Sequence, residues 1–265
     1  MIDIGANLCH DSFDVDRDAV IAAAWQAGVS QIVVTGSCEA SNRDAAQLAN
    51  RYPGRLFATA GMHPHHAEDY SDTSDAQIRQ LAADGAIVAI GECGLDYFRN
   101  FSSPAAQAAA FDAQLAIAAE TGLPLFLHQR DAIDDFVAMM KPYRDRLGHA
   151  VAHCFTGNAD DLTALLDLDL WIGITGWICD ERRGAHLREL VANIPRDRLM
   201  IETDAPYLLP RTLRPRPKTR RNEPRWLPEV ARVIADSLGV AVTELATQTA
   251  ANTRRFFALP ETMVE

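Results

Sequence analysis

Short apolar runs recur along the whole chain, each bounded by polar or glycine residues. Within a run the apolar residues are nearly continuous instead of alternating with polar ones, which is typical of parallel strands buried on both faces. The pattern predicts eight such strands, at residues 2–8, 31–35, 56–61, 86–91, 124–128, 150–154, 171–174 and 199–202.

Longer stretches with helical periodicity separate these runs, and Gly28 follows the first of them, where a helix C-terminus favours glycine. They predict helices at residues 16–27, 40–52, 75–83, 107–121, 131–140, 159–166, 184–193 and 226–238, with a closing helix at 242–256. Regular alternation of strand and helix predicts βαβ units, and eight units predict a closed (β/α)8 TIM barrel. A doubly wound open sheet is the structural alternative, although no glycine-rich nucleotide-binding motif supports it.

Length and composition fit one ordinary globular domain and narrow its partners. The 265 residues are 48% hydrophobic and 23% charged, and no linker divides them, so we expect a single barrel domain over residues 1–265. The formal net charge of -11 argues against attraction of the whole surface to nucleic acid. Binding of that kind would need a local basic patch.

Cysteine usage and the lack of targeting signals bear on location. Five cysteines, an odd number without a CxxC pair, indicate neither a disulfide framework nor a thiolate zinc site. The chain does not start with a charged segment and an apolar run, and it has no continuous apolar stretch of about 18 residues. We therefore expect a cytoplasmic protein that does not engage a membrane, and we expect a monomer.

Four ionisable residues stand at the ends of four different predicted strands: Glu92, His128, His153 and Asp204. Taken singly, such a histidine is more often a hydrogen-bonded structural residue, and such an acid is more often a helix N-cap or a surface charge. In a barrel, however, these strand ends converge on one rim, where barrel enzymes build their active sites. Imidazole nitrogen and carboxylate oxygen suit a divalent cation, so we expect Glu92, His128 and His153 to bind one. Asp204 is expected to be a further ligand or the base that takes a proton from the attacking water.

The third predicted strand ends in a segment that contains His63 and His65. These side chains would orient a substrate phosphate or donate a proton to a leaving group, and we assign His63 a catalytic role and His65 a role in substrate binding. The alternative is a loop whose histidines only satisfy nearby backbone carbonyls. We leave His66, His10, His149 and His186 as structural or surface residues.

A basic, proline-rich segment follows Asp204 in this otherwise acidic chain. Residues 211–225 contain seven cationic side chains and one acid, and their prolines disfavour a helix. Because the segment leaves the eighth strand, it should pass over the rim that carries the cation. Arginine forks match phosphate oxygens, so we expect Arg220 and Arg221, together with Arg130 after the fifth strand, to bind substrate. The alternative is a solvated, charge-rich loop.

The strand-end motifs carry a family resemblance over nearly the whole chain. They read Gly61-Met62-His63-Pro64-His65, Gly91-Glu92-Cys93-Gly94-Leu95-Asp96, His128-Gln129-Arg130-Asp131-Ala132, His153-Cys154-Phe155-Thr156-Gly157, Glu202-Thr203-Asp204-Ala205-Pro206-Tyr207 and Arg221-Asn222-Glu223-Pro224. With them the chain resembles the TatD family of metal-dependent deoxyribonucleases, within the amidohydrolase-like barrels.

The resemblance implies residue roles and an activity. Glu92, His128 and His153 match the family's metal ligands, and Asp204 matches its active-site aspartate. The implied activity is magnesium-dependent 3′→5′ exonuclease action that favours single-stranded DNA, with RNA as a further substrate and Mn²⁺ or Zn²⁺ as alternative ions. Many relatives carry a His-x-His pair where this chain has Gly5-Ala6-Asn7, so we expect one tight cation and at most a second, weak one.

The sequence is compatible with three functions. The favoured one is a nuclease in which a cation activates water, Asp204 accepts its proton and the basic segment holds the phosphodiester. The second is a metal-dependent hydrolase of a small amide, ester or phosphoester, because one barrel supports many chemistries. A neutral substrate, however, gains nothing from an arginine cluster. The third is a metal-binding adaptor without catalysis, which would not need the complete set of four residues.

Overall fold

Eight parallel strands form the centre of the protein in a computed structural model that describes residues 1–261. Each strand pairs with its neighbours in chain order, as expected when every strand is followed by a helix that returns the chain along the outside. The strands are β1 Ile2–Ala6, β2 Gln31–Val34, β3 Leu56–Ala60, β4 Ala89–Asp96, β5 Leu125–Arg130, β6 Ala150–Ala152, β7 Trp171–Ile174 and β8 Leu199–Ile201.

Backbone contacts between β1 and the segment after β8 bring the two ends of the sheet together. Ala6 bridges Ala205 in parallel, the Asn7 N–H donates to the Ala205 carbonyl (2.7 Å), and the Asp204 N–H donates to the Gly5 carbonyl (2.9 Å). An open doubly wound sheet would leave strands unpaired at two edges. The predicted TIM barrel is therefore confirmed, and the open-sheet alternative is set aside.

Nine α-helices surround the barrel in the described part of the chain, close to the predicted positions. They are α1 Arg17–Gln26, α2 Glu39–Arg51, α3 Asp72–Ala83, α4 Pro104–Thr121, α5 Ile133–Met140, α6 Ala159–Asp167, α7 Ala185–Leu190, α8 Leu227–Leu238 and α9 Val242–Phe257. Helix α4 begins three residues before its predicted start, because Ser103 caps it and Pro104 fits the first turn. The last four residues of the expected 1–265 domain lie outside the described range. Among residues 1–261, no helix is long and apolar enough to cross a membrane.

Strand β4 differs most from its predicted bounds. It begins later than predicted and ends five residues beyond its predicted end. Its second half is the polar and glycine-rich stretch after Gly91, which lacks the apolar signal of a strand. Pairing with β5 nevertheless continues to Asp96, opposite Arg130. A Cβ at Gly94 would overlap the carbonyl oxygen of His128, so glycine here allows the two strands to approach closely.

The apolar interior of the barrel shows in which direction the side chains at the strand ends point. Phe126, Val151 and Met200 belong to the same buried apolar cluster inside the barrel, on β5, β6 and β8. Side chains alternate along a strand, so the residue two positions further on points the same way. That residue lies at the C-terminal end of the barrel, where we expect the active site.

Candidate active site

Alternation places His128, His153 and Glu202 above the apolar interior, each two residues after one of its members. Glu92 reaches the same place differently. The pairing of β4 with β5 shifts between Ile90 and Cys93, which inserts one extra residue on β4. Such a bulge re-aims the following side chains. As a result Glu92 lies beside the histidines, while Cys93 packs in the outer apolar core.

One carboxylate oxygen of Glu92 is the centre of the cluster. Its Oε1 lies 2.7 Å from His153 Nε2, 3.0 Å from His128 Nδ1 and 3.2 Å from His63 Nε2. The Glu92 side chain is only 8% exposed. The structure therefore brings together the three predicted metal ligands from three different strands, and His63 joins them.

This group of side chains has the donor chemistry of a divalent metal site. His63, Glu92 and His128 each offer a ligand atom, and these atoms lie within 4.8 Å of one another. Nitrogen and oxygen donors of this kind suit zinc, manganese or magnesium with water completing the shell. The site thus fits a cation. The compact set contains His63, which the sequence assigned to catalysis, and does not contain His153, which the sequence predicted as a ligand.

Asp204 lies next to this cluster on the segment that follows β8. Its Oδ1 accepts a hydrogen bond of 3.1 Å from the side-chain amide of Asn7, at the end of β1. Its backbone is left-handed, with φ of 54°, a conformation that Asp and Asn adopt more readily than most residues. Asn7 therefore orients an acid at this site.

Glu202, directly after β8, is a buried acid to which the sequence motifs assigned no positioning role. It is 0% exposed, its Oε2 lies 3.3 Å from His153 Nδ1, and its Oε1 accepts from the Cys154 N–H at 2.5 Å. A Cβ at Gly5 would lie 2.5 Å from Glu202 Oε2, and one at Gly173 would lie 2.6 Å from Oε1. The two glycines make room for this carboxylate, which occupies the space of a side chain at position 5.

Asp96, at the end of β4, is the second acid that sequence reasoning left without a role. Its Oδ2 lies 2.8 Å from His65 Nε2 and 3.3 Å from His128 Nε2, and its Oδ1 accepts from the Arg99 N–H. His128 thus faces a carboxylate with each ring nitrogen, Glu92 on one side and Asp96 on the other. The strand-end position of Asp96 could have identified it, as it did for Glu92.

Burial and nearby charges together shift the pKa values of the side chains in the cluster. Burial alone would raise the pKa of Glu92, but the surrounding histidines hold it well below its usual range. Burial would lower the pKa of His153, but Glu92 and Glu202 raise it well above its usual value. Burial lowers the pKa of His63 to about 4 and raises the pKa of Asp204 to about 8. The nearby His153 lowers the pKa of Asp204 and so opposes the effect of burial, whereas Glu92 raises it further.

The cluster opens into a cavity of about 780 Å³ at the barrel mouth. His63, His65 and Asp204 line it together with the metal-site residues. Four arginines also line it, and they come from four different loops or strand ends: Arg99, Arg130, Arg183 and Arg220. The cavity therefore combines a carboxylate–imidazole centre with a cationic wall that suits a polyanionic substrate.

The basic segment contributes less to this wall than its sequence indicates. Arg220 lines the cavity, as expected, but Arg221 is not among the lining residues. The Arg221 guanidinium lies 2.6 Å from Asp16 and 3.0 Å from Glu223, and it also donates to the Ser12 carbonyl. The structure does not bring Arg221 to the site, because Asp16, directly before α1, and Glu223, within the segment itself, hold its guanidinium at the start of α1.

The chain is similar to known proteins over nearly its full length. A family model described as "TatD related DNase" matches residues 2–258. A protein of Erwinia tasmaniensis named "3'-5' ssDNA/RNA exonuclease TatD" is 53% identical over 98% of this chain and 100% of its own length. A protein of the same name from Pectobacterium carotovorum is 52% identical over the same shares.

Solved structures show the same fold over nearly the full length. The TatD homologue YjjV of Escherichia coli superposes with a TM-score of 0.88 at 29% identity and covers 98% of both chains. A TatD-family hydrolase of Entamoeba histolytica gives a TM-score of 0.87 at 26% identity and covers 97% of both. With a family match over almost every residue and relatives above half identity, the chain belongs to the family of TatD-related DNases.

Proposed function

We propose that this protein is a metal-dependent 3′→5′ exonuclease that hydrolyses single-stranded DNA and also accepts RNA. The observation that carries the proposal is the Glu92 carboxylate, which three imidazoles surround at the base of a cavity lined by four arginines. Relatives at 52–53% identity carry the name of a 3′→5′ ssDNA/RNA exonuclease. The polarity and the choice of substrate are transferred from those relatives.

In this proposal Glu92, His128 and His153 hold the cation, and Asp204 is either a fourth ligand or the base. When bound, the cation would supply Lewis-acid chemistry by neutralising charge on the phosphoryl oxygens and making water more acidic. As the base, Asp204 accepts the proton of the attacking water, and the Asn7 amide fixes its orientation. His63 lies within the cluster and would hold the reacting phosphate or protonate the leaving oxygen.

The remaining predicted site residues would hold the nucleic-acid strand. His65 lines the cavity with its Nε2 on Asp96, so its ring orientation is fixed, and it would contact the phosphodiester. Arg130 and Arg220 line the same cavity from β5 and the basic segment, and they would pair with phosphates. A neutral amide or ester would gain little from these arginines, which disfavours the alternative of a small neutral substrate.

We propose that Mg²⁺ is the ion that supports hydrolysis, with Mn²⁺ and Zn²⁺ as the alternatives. Carboxylates and phosphate oxygens suit Mg²⁺, whereas the imidazoles would also suit zinc. We further propose a cytoplasmic location, which agrees with five free cysteines, and a monomeric state.

End-labelled single-stranded DNA tests the proposed function. A 5′-labelled oligonucleotide with Mg²⁺ should give a ladder that shortens stepwise, whereas a 3′-labelled one should release labelled mononucleotide from the start. A chelator or the Glu92→Gln substitution should abolish both products. The matched control is Glu189→Gln, which changes an exposed acid on α7 and should leave the ladder intact. Intact DNA in every lane with Mg²⁺, Mn²⁺ or Zn²⁺ would overturn the proposal.

A further inference from the structure

Exposed aromatic side chains are concentrated at the mouth of the cavity. Among residues 1–261, the large hydrophobic side chains that are most exposed are Val15, Phe98, Phe101 and Tyr207. Phe101 is 66% exposed and Tyr207 is 51% exposed, and both line the cavity. Phe98 is 54% exposed and contacts the lining residue Arg130. Clustered exposed rings around a functional cavity indicate a binding surface.

The barrel places these rings on opposite sides of the mouth. Phe98 and Phe101 follow β4, whereas Tyr207 follows β8, and these two strands lie four positions apart in an eight-stranded barrel. Each lining ring packs edge-on against a histidine: Phe101 lies 4.7 Å from His65 and Tyr207 lies 5.7 Å from His10, between ring centroids. Neighbouring residues therefore position the rings, while a large part of each remains exposed.

Arginine side chains join the rings on one side of the mouth. The Arg130 guanidinium lies 4.1 Å from the centroid of Phe98 and 5.6 Å from that of Trp177. The Arg183 guanidinium also lies against Trp177, 4.5 Å from the ring centroid. Aromatic and cationic groups thus alternate between the loops after β4 and β7. Such a row can contact both the bases and the phosphates of a flexible strand.

We infer that Phe98, Phe101 and Tyr207 stack on unpaired nucleobases, and that this stacking makes the site select single strands. Every base has a π-face, so stacking accepts all sequences, but a base inside a duplex already stacks on its neighbours and is paired. The arginines would meanwhile hold the backbone without distinguishing the two forms. This inference rests on the proposed nuclease function and names the residues that set its specificity.

Oligonucleotides with and without bases at the 3′ end test the inference. The first substrate is an ordinary single strand, and the second has abasic sugars in its last two positions but the same phosphates. Wild-type protein should show a KM roughly 5- to 50-fold higher on the abasic strand, because stacking contributes on this scale. Phe101→Ala and Tyr207→Ala should each raise KM on the ordinary strand, change kcat little, and reduce the difference between the two substrates.

Conservative and remote variants separate stacking from structural damage. Tyr207→Phe keeps the ring and should restore the KM ratio, and Val15→Ala alters an exposed apolar side chain that does not line the cavity. An equal KM of wild-type protein on both strands, or an equal rise on both in the alanine variants, would overturn the inference.

A measurement of binding without turnover distinguishes failure of the stacking inference from failure of the proposed function. A single strand with a 3′-terminal 2-aminopurine, mixed with chelated wild-type protein, should lose fluorescence on stacking, and Phe101→Ala and Tyr207→Ala should weaken that loss. Cleavage without any such quenching contradicts the stacking inference alone. Quenching without cleavage of either oligonucleotide contradicts the nuclease function alone. Absence of both contradicts both.

Discussion

At the scale of single residues, the site depends on acids that hold histidines in place. Glu92 Oε1 lies within 3.2 Å of three imidazole nitrogens, and Glu202 and Asp96 approach the outer nitrogens of His153 and His128. The sequence predicted Glu92, because it stands at a strand end. It assigned no positioning role to Glu202, since contact with His153 depends on room left by glycines on two other strands.

Glu202→Gln should weaken cation binding without removing a predicted ligand. The glutamine keeps the size of the side chain but loses the charge beside His153, and partners of this kind change metal affinity by about 10- to 100-fold. Calorimetric titration with Mn²⁺ measures the effect. The control is Glu189→Gln on the surface of α7. Equal affinities in the two variants would show that Glu202 does not support the site.

Asp204→Asn separates binding from chemistry. Asparagine tolerates the left-handed backbone at this position and can keep the contact with Asn7, so the structure should persist. If Asp204 is chiefly the base, kcat should fall by roughly 10²–10⁴ while KM for single-stranded DNA changes little. Steady-state kinetics decide this, with exposed Asp167→Asn as the control. Turnover near that of the wild type would remove Asp204 from this role.

At the scale of elements, most boundaries follow from apolar periodicity, but two features of the site do not. The second half of β4 is a strand only because Gly91 and Gly94 allow contact with β5. The basic segment shows its charge in the sequence, but tertiary partners decide which arginines face the cavity. Asp16 and Glu223 hold Arg221 away, whereas Arg220 lines the site.

Gly94→Ala should destabilise the protein far more than alanine at an unhindered glycine. Gly94 has φ of 142°, and an added Cβ would overlap the His128 carbonyl oxygen. Gly85 also has positive φ, but nothing lies within 4 Å of an added Cβ. We expect a loss of roughly 1 kcal/mol for Gly85→Ala and about 3 kcal/mol or more for Gly94→Ala. Denaturant unfolding measures both, and similar losses would contradict the close packing of β4 on β5.

Arg220→Ala and Arg221→Ala should have different effects although the residues are adjacent. Loss of Arg220 should raise KM for single-stranded DNA and reduce the salt dependence of binding, because one phosphate contact is lost. Loss of Arg221 should lower the unfolding free energy by about 1 kcal/mol with little change in KM, because it breaks partly exposed ion pairs that tie the segment to α1. Kinetics and thermal unfolding of both variants test this. A larger KM effect in Arg221→Ala would place that residue at the substrate.

At the scale of the whole molecule, the barrel explains why residues far apart in sequence meet. The sequence predicted the order of strands and the convergence of their ends, since both follow from the alternation of strand and helix. It did not predict the aromatic rim, because Phe98, Phe101 and Tyr207 resemble ordinary core residues until their exposure is known. Loop conformation, which local pattern does not encode, decides that exposure.

We propose that one divalent cation at the Glu92 cluster makes this barrel a nuclease. Bound Mn²⁺ per chain and hydrolysis of single-stranded DNA should be measured on the same samples, as apo-protein is reloaded stepwise. Hydrolysis should rise in proportion to bound metal and level off at about one tight ion per chain, because Gly5 has no side chain and Asn7 offers only a neutral amide where a second ion would need a stronger ligand. Two ions bound with similar affinity in the absence of DNA would contradict the single tight site, and full hydrolysis by metal-free protein would contradict metal-dependent catalysis altogether.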